Sequence, residues 1–126
     1  MHPPDGKIHV LAIDDEPLLL ELLVSYLEDL GYAVVAQSGV TETWACLLSD
    51  VKVDLLITDV NMPGMDGFEF ARSIRVAQPL LPVVFVSGYM ANLDRCPVPH
   101  AVLLKKPYSR QQLARGINDA MMQSAS

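Results

Sequence analysis

Apolar runs alternate with stretches of helical spacing along this chain, and that pattern predicts an α/β fold: a doubly wound (βα)5 parallel sheet covered by helices on both faces. Two observations support it. The strand candidates are nearly all apolar, as strands buried on two faces must be. Polar residues gather just after those runs, where open α/β sheets bind their ligands. The 126 residues suit one domain with one core. Residues 7–123 are read as that domain, with flexible ends at 1–6 and 124–126.

Each element has its own signal. Ile8–Ile13 is a short apolar run and reads as the first strand. Pro17–Leu30 follows, with Leu19, Leu22, Leu23, Tyr26, Leu27 and Leu30 at helical spacing, Pro17 in the first turn and Gly31 as the stop. On this reading Leu18, Leu20 and Val24 fall off the inner stripe. Tyr32–Gln37 reads as a strand, Thr41–Ser49 as a helix with Trp44, Leu47 and Leu48 on one face, and Leu55–Thr58 as the third strand. Gly67–Ala77 is a helix ended by Pro79, Pro82–Val86 a strand rich in β-branched residues, and Ala101–Leu104 the fifth strand. Between the last two strands, Asn92, Asp94, Pro97 and Pro99 leave room only for a short or irregular fourth helix. Ser109 opens the final helix with Gln112 three residues on, a capping-box pattern, and Leu113, Ile117, Ala120 and Met121 form its inner face.

Composition narrows the function. Hydrophobic residues make up 51 % and charged residues 19 %, a globular balance. No apolar stretch approaches the ~18 residues that span a bilayer, and the start, Met1-His2-Pro3-Pro4-Asp5-Gly6, lacks a signal-peptide core. A cytoplasmic protein without a membrane partner is expected. Fifteen acidic residues against nine basic ones give a net charge of -6, and no Lys/Arg stripe invites nucleic acid. Cys46 and Cys96 lack metal spacing and read as free thiols. His2, His9 and His100 form no catalytic or ligand set.

The residues after the strands carry the chemistry. Asp14 and Asp15 follow the first, Asp59 the third, Ser87 the fourth and Lys106-Pro107 the fifth. In a parallel sheet these ends share one edge. Each piece has a simpler reading: the aspartate pair caps a helix, Asp59 opens a turn, Ser87-Gly88 is an ordinary turn. Their joint placement favours a shared site. Three converging carboxylates repel one another and raise some pKa values unless a cation sits among them. Oxygen-only ligands suit Mg²⁺, with Mn²⁺ as a substitute. Lys106 is a point charge for a phosphate oxygen, and Ser87 offers a hydroxyl to another. Asp59, read as the one carboxylate both central and exposed, is the candidate nucleophile for a phosphoryl group.

These residues resemble the receiver domain of two-component response regulators. The resemblance rests on Ile13-Asp14-Asp15-Glu16-Pro17, on Thr58-Asp59-Val60-Asn61-Met62-Pro63-Gly64-Met65-Asp66-Gly67, on Val86-Ser87-Gly88 and on Lys105-Lys106-Pro107-Tyr108. It implies a flavodoxin-like sheet of strand order 2-1-3-4-5. It implies that Asp59 accepts a phosphoryl group from a phosphohistidine on a sensor histidine kinase or histidine phosphotransfer protein. It assigns Mg²⁺ to Asp14, Asp15, Asp59 and the backbone carbonyl of Asn61, and the catalytic set to Asp59, Ser87 and Lys106. It implies a cis Lys106–Pro107 bond, a slow autodephosphorylation, and a monomer or weak phosphorylation-dependent dimer. Leu103 stands where well-known receivers carry a switching aromatic. Ser87-Gly88-Tyr89 resembles a Thr/Ser-Gly-Tyr subgroup of single-domain and hybrid-kinase receivers, in which Tyr89 would take over gating. The rivals are an aspartyl-phosphate phosphatase, disfavoured because its Asp-x-Asp pattern after the first strand is missing, and a non-phosphorylated flavodoxin-like binding module, disfavoured because no Gly-rich phosphate loop follows that strand.

Overall fold

Five parallel strands in the order 2-1-3-4-5 form the sheet. The computed structural model describes residues 6–38, 53–62, 64, 66–88 and 98–125. The strands are β1 (His9–Ile13), β2 (Ala33–Gln37), β3 (Leu55–Asp59), β4 (Val83–Ser87) and β5 (Ala101–Lys105). Among the described residues the helices are α1 (Pro17–Asp29), α2 (Gly67–Ala77) and α3 (Arg110–Ala125). None of them is long and apolar enough to cross a membrane. The helix expected over Thr41–Ser49, the short fourth helix, both cysteines and Tyr89 lie outside the described residues.

The pleat sorts the strand side chains between two cores. Leu11, Ile13, Leu56, Val83 and Phe85 face Phe70, Ala71 and Ile74 of α2. Val10, Ala12, Leu55, Ile57, Val84 and Val86 face Leu23 and Leu27 of α1 and Leu113, Ile117 and Ala120 of α3. The three central strands have almost every residue buried, whereas the edge strands β2 and β5 are only partly covered. Burying each large side chain of this kind is worth roughly 1.5–3 kcal/mol, so the two-sided core dominates stability.

Strand ends shift slightly from the sequence reading. Asp59 and Ser87 close β3 and β4 from within, because each is paired with a neighbouring strand: Asp59 lies beside Val86, and Ser87 beside Lys105. The stripe on α1 also differs. Leu22, expected inside, is 45 % exposed and Leu20, expected outside, packs on the α1–α3 core, whereas Leu18 is exposed as expected. The helix is apolar nearly all round, so periodicity alone could not choose its inner face. The capping box at Ser109 forms as expected: the Ser109 N–H donates to Gln112 Oε1 at 2.8 Å, and the Gln112 N–H donates to Ser109 Oγ at 3.0 Å.

Register brings the carboxyl ends together. Ile13 pairs with Thr58, so Asp14 and Asp59 follow at one level. The ladder continues past the strands through Val60 N–H to the Val86 carbonyl, 3.0 Å, and Lys106 N–H to the Ser87 carbonyl, 2.8 Å. The turn from β3 into α2 is unusually tight. The Gly67 N–H donates to the Val60 carbonyl at 2.8 Å, and a Cβ at Gly67 would stand 2.2 Å from the Asp59 carbonyl oxygen. Asp66 caps α2 by accepting from the Glu69 N–H at 2.8 Å.

Gly67→Ala is therefore expected to lower the urea midpoint without changing the m-value. The clash is with backbone, which no rotamer relieves, and overpacking of this kind costs about 1–3 kcal/mol. The helix propensity recovered by alanine, about 1 kcal/mol at most, does not offset it. An unchanged or higher midpoint would show that the turn has slack.

Candidate functional site

The carboxyl edge of the sheet holds one ammonium among several carboxylates. Lys106 Nζ lies 2.8 Å from Asp14 Oδ2, 3.1 Å from Asp59 Oδ2 and 3.7 Å from Glu16 Oε1. Asp14, Asp15, Glu16 and Asp59 each bring a carboxylate oxygen within 4.8 Å of the others. An open cleft of about 310 Å³ sits over them, lined by Asp15, Glu16, Asp59, Asn61, Gly88 and Lys106. The four groups expected from loops one, three, four and five do converge.

Local structure explains each placement. Asp14 follows β1 directly and is fully buried. Its Oδ1 accepts from the Glu16 N–H at 2.9 Å, which holds the turn into α1. Its Oδ2 is left for Lys106. One Asp14 oxygen thus holds the turn before α1, although no side chain caps the helix itself, and the other faces Lys106. Asp59 ends β3, where Oδ1 accepts a 3.3 Å hydrogen bond from the Asn61 N–H and Oδ2 accepts one from Lys106. Its carbonyl accepts from Thr58 Oγ1 at 3.0 Å. Ser87 is 1 % exposed, and its Oγ accepts from Asn61 Nδ2 at 3.4 Å. The Lys106–Pro107 bond is cis.

Two corrections follow. Asp59 is not exposed: only 4 % of its surface reaches solvent. It ends a central strand, and its neighbours on both sides bury it to the carboxylate. The site also holds a fourth carboxylate, Glu16, which the sequence reading passed over. The signal was there, since Glu16 continues the acidic run after β1. Leu103, at the position where an aromatic was looked for, packs partly buried against the α2-side core.

Electrostatics follow from this geometry. Burial raises the Asp59 pKa above the ordinary carboxylate value; Lys106 and the Asn61 N–H pull it down, and Asp14 adds to the rise. Burial pulls Lys106 down, but its bond to Asp14 and the charges of Asp14 and Asp59 overcome this, leaving it raised. The two partners differ because Lys106 meets several anions, whereas Asp59 meets one cation and further anions. Burial likewise raises the Tyr108 hydroxyl, with Asp14 the next cause; its ring lies edge-on to Tyr26 of α1, centroids 6.3 Å apart.

The donor set is all hard oxygen, with more negative than positive charge, and so fits a small divalent cation such as Mg²⁺. It sits where β1 and β3 diverge, the crevice that order 2-1-3-4-5 opens for ligands. Fold and site together define a flavodoxin-like domain with an acidic, lysine-bearing pocket at its switch point.

The family model of the response regulator receiver domain matches residues 10–118. The transcriptional regulatory protein GlrR of Escherichia coli K12 is 35 % identical over 120 residues, 93 % of this chain and 27 % of GlrR. The virulence sensor protein BvgS of Bordetella bronchiseptica is 43 % identical over 133 residues, 97 % of this chain and 11 % of BvgS. A response regulator receiver protein from Sinorhizobium medicae WSM419 superposes with a TM-score of 0.85 at 30 % identity, covering 94 % of this chain and 97 % of that one. The chain belongs to the response regulator receiver domain family of two-component signalling. It spans about a quarter or less of these two curated relatives, 27 % and 11 %.

The raised Asp59 pKa carries a stability consequence. A carboxyl whose folded pKa exceeds its unfolded value favours folding at low pH, and that contribution is lost as pH rises through the folded pKa. Metal-free protein is therefore penalised at neutral pH. Asp59→Asn is expected to raise the metal-free melting temperature at pH 7, since Lys106 keeps Asp14, and the gain should shrink as the pH approaches about 4. Scanning calorimetry in EDTA checks this; a lower melting temperature for the variant at pH 7 contradicts it. Added Mg²⁺ should stabilise the wild type more than the variant.

Proposed function

We propose that this receiver takes a phosphoryl group from a phosphohistidine onto Asp59 in a Mg²⁺-dependent reaction, and that the change alters a partner surface. The observation carrying this reading is the buried Asp59–Lys106 contact of 3.1 Å within the four-carboxylate pocket. The donor would be a sensor histidine kinase or a histidine phosphotransfer protein.

The residues divide the work. An Asp59 carboxylate oxygen forms the new P–O bond as the P–N bond of the phosphohistidine breaks. The imidazole nitrogen leaves with the electron pair of that bond, and the donor histidine ends neutral after proton exchange with solvent. Lys106 moves a donor from carboxylate to a phosphoryl oxygen, over the short distance its present contacts define. The Ser87 hydroxyl donates to a second oxygen once it turns from Asn61. Asp14, Asp15, Asp59 and the Asn61 carbonyl would hold the metal. When bound, Mg²⁺ supplies charge neutralisation for the transferring group. Hydrolysis reverses the modification: water attacks phosphorus, the P–O bond to Asp59 breaks, and inorganic phosphate leaves. The reading is of a switch with its own phosphoryl-transfer and dephosphorylation steps, not of a turnover enzyme.

The phosphate adds about two negative charges to an already acidic pocket. Ser87 and Lys106 come from the ends of β4 and β5, so their movement toward it would displace those loops. That is the proposed route to the partner surface.

Phosphorylation with a labelled kinase or acetyl phosphate tests the assignment. Asp59→Asn should abolish the hydroxylamine-sensitive acyl phosphate. Lys106→Ala should slow its formation on the order of 10²-fold, the scale for losing one preorganised charge contact. Undiminished incorporation in Asp59→Asn would move the acceptor to another residue.

A further inference from the structure

Glu16 has no part in the reaction as assigned, yet its carboxylate lies inside the pocket. It differs from its neighbours in one respect: its side chain is 61 % exposed, whereas those of Asp14 and Asp59 are 1 % and 6 % exposed. It lines the cleft on the same side as Asp15 and faces Lys106 at 3.7 Å, too far for a good hydrogen bond. Asp14 and Asp59 occupy the ammonium at 2.8 and 3.1 Å. An ammonium has three donors; Asp14 and Asp59 account for two, and Glu16 is the next carboxylate out, at 3.7 Å.

We propose that Glu16 is a specificity-determining residue at the pocket mouth. It selects against small free anionic phosphodonors by repelling them, and it strengthens capture of the divalent cation. This rests on the phosphoacceptor reading of Asp59. The argument is one of charge order. A divalent cation entering meets four carboxylates and one ammonium, and Glu16 adds to its attraction. A phosphodonor entering is an anion, and Glu16 is the first charge it passes. An arriving phosphoryl oxygen must then reach Lys106 past the Glu16 carboxylate, which lies 3.7 Å from the ammonium. A protein-borne phosphohistidine meets the same repulsion, but its docking contacts offset it. A free small donor has no such contacts.

The exposure of Glu16 sets the scale. One unit charge several ångströms away, in largely aqueous surroundings, changes an ion's affinity about 3- to 10-fold. It does not replace the buried pair of Lys106 and Asp59, so the chemical step is untouched and the effect falls on KM.

The experiment uses Glu16→Gln in the full chain, with Glu21→Gln as a control of equal net charge on the exposed part of α1. Mg²⁺ binding is followed by calorimetry without a phosphodonor. Glu16→Gln should bind Mg²⁺ about 3- to 10-fold more weakly than wild type, and Glu21→Gln within about 2-fold of it. At saturating Mg²⁺ and low salt, Glu16→Gln should lower the KM for acetyl phosphate about 3- to 10-fold with kcat little changed, and the difference should shrink as salt rises. Equal KM values for wild type and Glu16→Gln, or an equal gain in Glu21→Gln, would overturn the role of Glu16. Unaltered Mg²⁺ affinity would overturn its part in cation capture. Wild-type protein that takes up no phosphate would instead overturn the phosphoacceptor reading, while the Mg²⁺ titration would still report on Glu16.

Discussion

One ammonium holds together a pocket that would otherwise repel itself. Lys106 Nζ touches Asp14 and Asp59 and lies near Glu16, while Asp15 completes the acidic cluster. The charges do not balance, and the imbalance is the source of the site's chemistry. A fully neutralised cluster would have no call for a cation. A cluster without the lysine would lack its own positive charge for a phosphoryl oxygen. Burial, with a smaller push from Asp14, leaves Asp59 above its ordinary pKa, while the bond to Asp14 and the surrounding carboxylate charge leave Lys106 above its own despite burial.

The fold sustains that imbalance by giving the charged groups no easy retreat. Asp59 ends a strand buried on both faces, and its backbone is pressed by Gly67 and bonded by Thr58. Asp14 spends one oxygen on the turn into α1 and offers the other to Lys106. Lys106 follows β5 and is tied to Ser87 through the backbone ladder. Only Glu16 sits on the solvent side. Buried inner anions and an exposed outer one line a single pocket.

Much of this was legible in the chain, and the failures have physical causes. Apolar runs marked the central strands because two-sided burial leaves no place for polar side chains. The Ser109–Gln112 box was readable because both bonds are local. The inner face of α1 was misread because that helix is apolar on several sides, and only packing against β1, β3 and α3 selects Leu20, Leu23 and Leu27. Asp59 was read as exposed because a turn follows it, whereas the sheet around it determines its burial. Glu16 was passed over because only the distances across the pocket bring its carboxylate to the other three.

The sequence by itself determined the order of strands and helices along the chain, and which polar residues would stand at strand ends, because hydrophobic period and turn chemistry are short-range properties. It also determined the family, since Asp14-Asp15, Asp59, Ser87 and Lys106-Pro107 occur together at the spacing of a receiver. Only the tertiary structure decided that Asp59 is buried, that Glu16 joins the pocket and that one Asp14 oxygen is free for Lys106. Those facts depend on distances between loops far apart in sequence, and such distances are set by parallel register and by the packing of helices over the sheet.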